Sequence, residues 1–202
     1  MVATANKLEP GAGDQRIVLY DVPWVNYEVQ AALRGERSVP RIAYLEGVME
    51  LLVPSRSHER IAHDLGALLG VFAEEAGIEL TGYKSWTLKN APDQAGAEAD
   101  ECFIIGPDPR RERPDLAIEV VVTHGGIDKL RIYARLGAPE AWFWRDGRLE
   151  IHVLRAHTYE RVERSSCLPG LDHELMCSFL DRPTTTAAVR AYRAALRAGS
   201  MR

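Results

Sequence analysis

Residues 115–122 read DLAIEVVV. A nearly continuous β-branched run of this kind indicates a strand buried on both faces, the mark of a sheet with other layers packed on each side. Glu119 interrupts the run. A charge inside a buried strand is costly unless it is paired or bound to a metal. Two readings therefore stand level: a functional carboxylate, or a strand-end glutamate held by a nearby Arg or Lys.

The elements around this strand follow from periodicity and turn chemistry. After it, Gly125-Gly126 breaks the run, and Ile127, Leu130, Tyr133, Ala134 and Leu136 repeat as a short amphipathic helix ending at Gly137. EAWFWR (140–145) and RLEIHVL (148–154) form a strand pair with Asp146-Gly147 as a tight turn. HTYERVE (157–163) is a further strand, and an Ala/Arg-rich helix runs from Thr184 after Pro183. Before it, ECFIIG (101–106) is a short strand, separated from the central run by the polar loop PDPRRERP. Ser57 to Ala76 is the clearest helix, with Ile61, Leu65, Leu68, Leu69, Phe72 and Ala76 on one stripe, Ser57 as N-cap and Gly77 as stop. RIAYLE and VMELLV form a hairpin around Glu46-Gly47 and end at Pro54. Segments 78–83 and 85–89 are strands, and Pro23-Trp24 precedes a short helical pattern. The order implies an α/β (α+β) protein with one mixed central β-sheet flanked by helices. Residues 1–16 read as a disordered tail, 17–182 as the domain, and 183–202 as a C-terminal helix packed on or extending from it.

The chain has 202 residues, 46% hydrophobic and 27% charged, which suits one soluble domain with a sizeable core. No run approaches the ~18 apolar residues of a membrane span, and the N-terminus lacks a secretory h-region. The cysteines are Cys102, Cys167 and Cys177, too few and too scattered for a disulfide framework or zinc knuckle. Together these point to the cytoplasm. The net charge of −4 disfavours nucleic-acid binding through overall charge, but a local basic groove is compatible with it.

Metal-assisted phosphodiester cleavage needs carboxylates converging on Mg2+, for which hard oxygen donors are suited, and a lysine to position water or offset charge. Glu119 is the strongest candidate. Asp100 immediately precedes ECFIIG, with Glu98 and Glu101 as acidic neighbours and a turn residue as the plain alternative. Pro114-Asp115 with Glu119 spells P-D-x-x-x-E, but residues four apart on a strand are about 13 Å apart at ~3.3 Å per residue. The first acid should come from a neighbouring strand, and Asp115 begins its own. Lys129, at the start of the short helix, either points back over the Glu119 strand or is solvated. Glu50 and His58 flank Pro54 and gain weight if that junction faces Glu119. Arg110, Arg111 and Arg113 either meet a phosphate backbone or belong to a solvated loop.

Taken in order, EGVMELLVPSRSHERIAHDLGALL, GAEADECFII, RPDLAIEVVVTHGGIDKLRIYARLGAPEAWFW and DGRLEIHVL resemble the Uma-two endonuclease family, a branch of the PD-(D/E)XK nuclease superfamily. The likeness runs from about Pro23 to Leu180. It implies that Asp100, Glu119 and Glu50 bind Mg2+, with Mn2+ as the alternative ion. It implies that Lys129 assists catalysis and that His58 supports the site. Two positions depart from the pattern: Ala99 stands where a proline precedes the aspartate, and Val121 stands where E-x-K would place a lysine, so that role falls to Lys129.

The first expectation is a Mg2+-dependent endonuclease acting on nucleic acid, DNA foremost. The second is a nuclease-fold binding or regulatory module with little catalysis. The third is a dimerising protein, a homodimer, for which Trp142, Phe143 and Trp144 are the exposed-aromatic candidates, since consecutive strand residues point to both faces.

Overall fold

The structure is a computed structural model, and it describes residues 13–84, 86–122 and 126–199. Its first half holds β1 (Gln15–Leu19), α1 (Trp24–Arg34), β2 (Arg41–Leu45), β3 (Val48–Val53), α2 (Arg56–Ala76), β4 (Leu80–Gly82), β5 (Thr87–Asn90), β6 (Ala95–Glu98) and β7 (Glu101–Ile105). Then come β8 (Leu116–Val121), α3 (Lys129–Leu136), β9 (Glu140–Arg145), β10 (Arg148–Arg155), β11 (Thr158–Val162), α4 (His173–Cys177) and α5 (Thr185–Gly199).

The α/β class holds, but the strands divide between two sheets where one was expected. The first has the order β1-β3-β2-β6-β5 and the second β11-β10-β9-β8-β7-β4. β8 and β9 pair in parallel around the α3 crossover, and the other pairings are antiparallel. Local hydrophobic pattern says which segments are strands but not which strands share a ladder, because ladders form between segments distant in sequence.

The buried reading of DLAIEVVV is correct. The even positions Leu116, Ile118 and Val120 meet Leu65, Leu68, Leu69 and Phe72 of α2, with Ala188 and Tyr192 of α5 closing over the same cluster. Each buried leucine contributes roughly 2 kcal/mol through apolar area removed from water. On the other face, Ala117 packs with Ala141, Phe143, Ile132 and Tyr133, and with Ala43, Ala95 and Ala97 of the first sheet. The alanines let the layers approach closely. Glu119 projects to this second face, between Ala117 and Val121.

Several boundaries move. The tail expected over 1–16 does not include Gln15 and Arg16, which pair with Val53 and Leu52 in β1; residues 1–12 lie outside the described residues. The N-cap of α2 is Ser55, not Ser57: its hydroxyl accepts from the His58 backbone N–H at 3.3 Å. Glu46 and Gly47, with φ of 46° and 90°, form the tight turn expected between β2 and β3. None of the three exposed-aromatic candidates is exposed. Trp142 and Phe143 are buried on opposite faces of β9, and Trp144 is half-buried against the α2 cluster, because both faces of this sheet are covered. Ser85 and Gly125, parts of an expected strand and turn, lie outside the described residues.

Candidate active site

β6 ends at Glu98 in the first sheet and β7 begins at Glu101 in the second, so Ala99-Asp100 is a crossing from one sheet to the other. This puts Asp100 at the seam. β7 pairs with β8, Glu101 opposite Ile118, and Asp100 Oδ2 accepts the Val120 backbone N–H at 2.7 Å. Asp100 therefore stands beside Glu119 from the neighbouring strand, as expected. Asp115, by contrast, accepts from the Ile105 N–H at 2.7 Å and from Arg111 at 2.8 Å, fastening the far end of β8.

Asp100 is 2% exposed and densely partnered. His58 Nε2 lies 2.9 Å from Oδ2, and an Arg41 guanidinium N–H donates to Oδ1. His58 in turn meets Asp14 through Nδ1 at 2.8 Å, while Asp14 accepts the Ser55 N–H at 2.8 Å. The result is a chain Asp14–His58–Asp100, anchored at the capped start of α2. Burial by itself raises the Asp100 carboxyl, but the His58 hydrogen bond and the positive charges of Lys129, His58 and Arg41 outweigh it and hold the group at about 2. Burial lowers His58, and its carboxylate neighbours Asp100 and Asp14 more than reverse this, leaving it raised.

Glu119, also 2% exposed, is gripped from α3. The Asp128 side chain accepts the Arg131 N–H at 3.3 Å and starts that helix. Lys129 then reaches back with Nζ 2.6 Å from Glu119 Oε2, and the Tyr133 hydroxyl donates to Oε1. The solvated reading of Lys129 fails, since its side chain is only 12% exposed. Burial is the main force raising Glu119; Asp100 adds to it, Lys129 and Tyr133 oppose it, and the carboxyl sits at about 7. Two neighbouring carboxyls are thus driven apart, one firmly ionised and one poised near neutrality, as in sites that separate acid and base roles.

Glu50 comes from β3 of the first sheet. Its Oε2 lies 3.0 Å from Arg16 Nε and accepts the Ile127 N–H at 3.1 Å. A small cleft is lined by Glu50, Glu119 and Lys129 together with Arg16, Arg145 and the 127–128 segment. The structure therefore joins Glu50, Glu119 and Lys129 in one cleft, with Asp100 and His58 behind it. Arg110 and Arg111 pair instead with Asp108 and Asp115 in the loop at the opposite end of β8.

The donors are all oxygen, which suits a hard divalent ion, and Glu50 and Glu119 line the same space. Among the described residues, however, no group of three or more His, Cys, Asp or Glu side chains is gathered as a metal cluster. Arg16, Lys129 and Arg41 each hold one of the carboxylates instead.

Arg41, Tyr133, Asp14 and Arg16 join the site without having stood out in the sequence as site residues. Tyr133 is legible there, since it falls four residues after Lys129 on the same helix face. Arg41 carries a weaker signal, a charge heading the apolar run RIAYL. Asp14 and Arg16 carry none.

Among the described residues no helix is long and apolar enough to cross a membrane. No curated protein matches the chain. A crystal structure of "a putative nuclease belonging to DUF820 from Anabaena variabilis ATCC 29413" is similar at 14% identity and a TM-score of 0.47, covering 82% of this chain and 98% of that one. The Uma2 family, described as "Putative restriction endonuclease", matches residues 26–179, well over half of the sequence and every candidate site residue from Arg41 to Arg145. The chain belongs to the Uma2 family.

Proposed function

We propose that this protein is a divalent-cation-dependent endonuclease that hydrolyses phosphodiester bonds in DNA. The observation that carries this reading is the convergence of Glu119, Lys129 and Glu50 on one cleft, with an ionised Asp100 bonded to the adjacent backbone. Glu119, Glu50 and Asp100 would hold Mg2+ or Mn2+, which when bound acidifies a coordinated water and offsets charge on the phosphate. Lys129 lies where a cation can share the Glu119 carboxylate and stabilise negative charge in the transition state. Tyr133 fixes the Glu119 rotamer, and His58 with Arg41 keeps Asp100 ionised and oriented.

The test is cleavage of supercoiled, linear and single-stranded DNA with Mg2+, Mn2+ or EDTA, alongside Glu119→Gln and metal-binding calorimetry. Metal-dependent cleavage that Glu119→Gln abolishes supports the reading. Intact substrates under every metal, together with no measurable Mg2+ or Mn2+ binding, sink it.

A second reading is a nuclease-fold binding module with little catalysis. The ion pairs already made by Glu50, Asp100 and Glu119 favour it, since a metal would have to displace or share those cations. DNA binding that is unaffected by divalent ions and never followed by cleavage would select it.

A further inference from the structure

The net charge of the chain is −4, so a polyanionic substrate is not drawn in by the protein as a whole. A local basic track beside the cleft has to do this instead.

We infer that Arg145, Arg148 and Arg161 form a contact strip for the phosphate backbone of the nucleic acid that enters the Glu119 cleft, an assignment that rests on the nuclease reading above. Arg145 lines the cleft together with Glu119 and Lys129. The strand register carries the strip outward. Phe143 of β9 lies opposite Glu119, and Arg145 opposite Val121. On β10, Arg148 lies opposite Arg145 and Glu150 opposite Phe143, and on β11 Arg161 lies opposite His152. Residues directly opposite one another share a sheet face. The contacts agree, because Glu150 meets Arg145 at 3.8 Å, His152 at 3.7 Å and Arg161 at 2.9 Å. The face that carries Glu119 therefore continues across β9, β10 and β11 and bears Arg145, Arg148 and Arg161. Arg161 is level with His152, four residues along β10 from Arg148, so at ~3.3 Å per residue and ~4.8 Å per strand the strip runs obliquely for about 16 Å, roughly five nucleotides of backbone at ~3.4 Å each.

The strip is exposed and incompletely neutralised. Arg145 and Arg161 side chains are 39% and 62% exposed, and Arg148 is exposed as well. Glu150 faces Arg145 and Arg161 and leaves net positive charge. Arg193 and Arg197 of α5 differ, being matched by Glu74 and Glu75, as do Arg110 and Arg111, matched by Asp108 and Asp115. Arg145 is also preorganised. Its guanidinium carbon stands 4.6 Å from the centre of the Phe143 ring, which holds the planar group with its donors at the cleft. Its Nε is buried with no hydrogen-bond partner among the described residues.

The test is fluorescence anisotropy of a labelled DNA duplex and a labelled single strand against NaCl concentration, with Ca2+ in place of Mg2+. The proteins compared are wild type, Arg148→Gln alone, the combined Arg145→Gln, Arg148→Gln and Arg161→Gln variant, and an Arg193→Gln, Arg197→Gln control on α5. Removing one phosphate contact lowers the slope of log K against log salt by about 0.9. The expected result is a slope lower by about 1 for Arg148→Gln and by about 2 to 3 for the combined variant, with the α5 control unchanged. Arg148→Gln, which removes one exposed side chain, keeps the test decisive if the combined variant fails to fold. If wild type cleaves DNA in Mg2+ and the slope is the same in Arg148→Gln and the combined variant, the strip is overturned and the nuclease reading stands. If wild type neither cleaves nor binds, both fall. Binding that is abolished in the combined variant, without cleavage under any metal, supports the strip and removes the nuclease.

Discussion

Lys129 and Tyr133, one helical turn apart on α3, hold opposite oxygens of Glu119, the first at 2.6 Å from Oε2 and the second through its hydroxyl on Oε1. An i, i+4 pair shares a helix face, so the helix delivers a cation and a neutral donor to one buried carboxyl. Burial and Asp100 still raise that carboxyl to about 7. The group most exposed to a change of protonation near neutral pH is therefore the one at the centre of the cleft.

Replacing Glu119 should give a stability difference that depends on pH with a definite sign. A carboxyl raised from 4.5 to about 7 on folding favours the native state below pH 4.5, and that contribution is lost as pH rises through 7. Wild type should thus lose on the order of 3 kcal/mol relative to Glu119→Gln across this window. Urea melts of both proteins on either side of it measure the effect. Parallel stability curves would mean that Glu119 titrates like a surface acid.

Lys129→Met removes the cation from a buried carboxylate. The expected cost is about 3 kcal/mol where Glu119 is ionised, since an uncompensated buried charge is left behind. The cost should shrink at low pH, where Glu119 is protonated. Cleavage should fall by at least about a hundredfold, the loss typical of a removed transition-state donor. A stability loss that is the same at every pH would contradict the pairing.

The Asp14–His58–Asp100 chain predicts an opposed pair of pH effects. Asp100, held at about 2, adds stability above its ordinary 3.8 that is lost as pH falls through about 2. His58, raised, adds stability that is full below 6.5 and lost as pH rises through its folded value. His58→Gln should therefore be most damaging between pH 3.8 and 6.5 and least damaging at high pH. Nitrogen-15 NMR of the imidazole provides a direct check: both ring nitrogens should carry protons at pH 6.5. A single neutral tautomer at that pH would refute the double pairing.

Gly126→Ala should disable the Glu50 wall of the cleft. Gly126 has a φ of +115°, and an added Cβ would lie 2.2 Å from Glu50 Oε2 and 3.0 Å from Arg16 Nε. Strain of this kind costs about 1–3 kcal/mol, and the displaced Glu50 should weaken Mn2+ binding measured by calorimetry. Wild-type melting and wild-type metal affinity in the variant would show that Glu50 does not pack against this backbone.

Pro114-Asp115 illustrates the limit of a motif match. It spells the first half of a nuclease signature, yet Asp115 is used to tie β7 to β8 through Ile105. The rise per residue along a strand is enough to exclude Asp115 as a partner of Glu119, and it points to a neighbouring strand for the second acid. It does not say what holds that acid in place. His58 and Arg41 do so, from α2 and β2.

The sequence by itself determined the buried run Leu116–Val120, the apolar stripe of α2, the β2–β3 and β9–β10 hairpins, and the lone charge Glu119. These are local properties: side-chain period and turn chemistry act over a few residues. Only the tertiary structure decided that there are two sheets, that Asp100 is a crossing between them, and that Arg41, Arg16 and Asp14 complete the site. The decisive contacts join residues 44, 59 and 77 positions apart, in His58–Asp14, Arg41–Asp100 and Glu50–Ile127. No local pattern encodes such pairings; they exist because burying β8 on both faces draws α2, α3 and the first sheet around the same carboxylate.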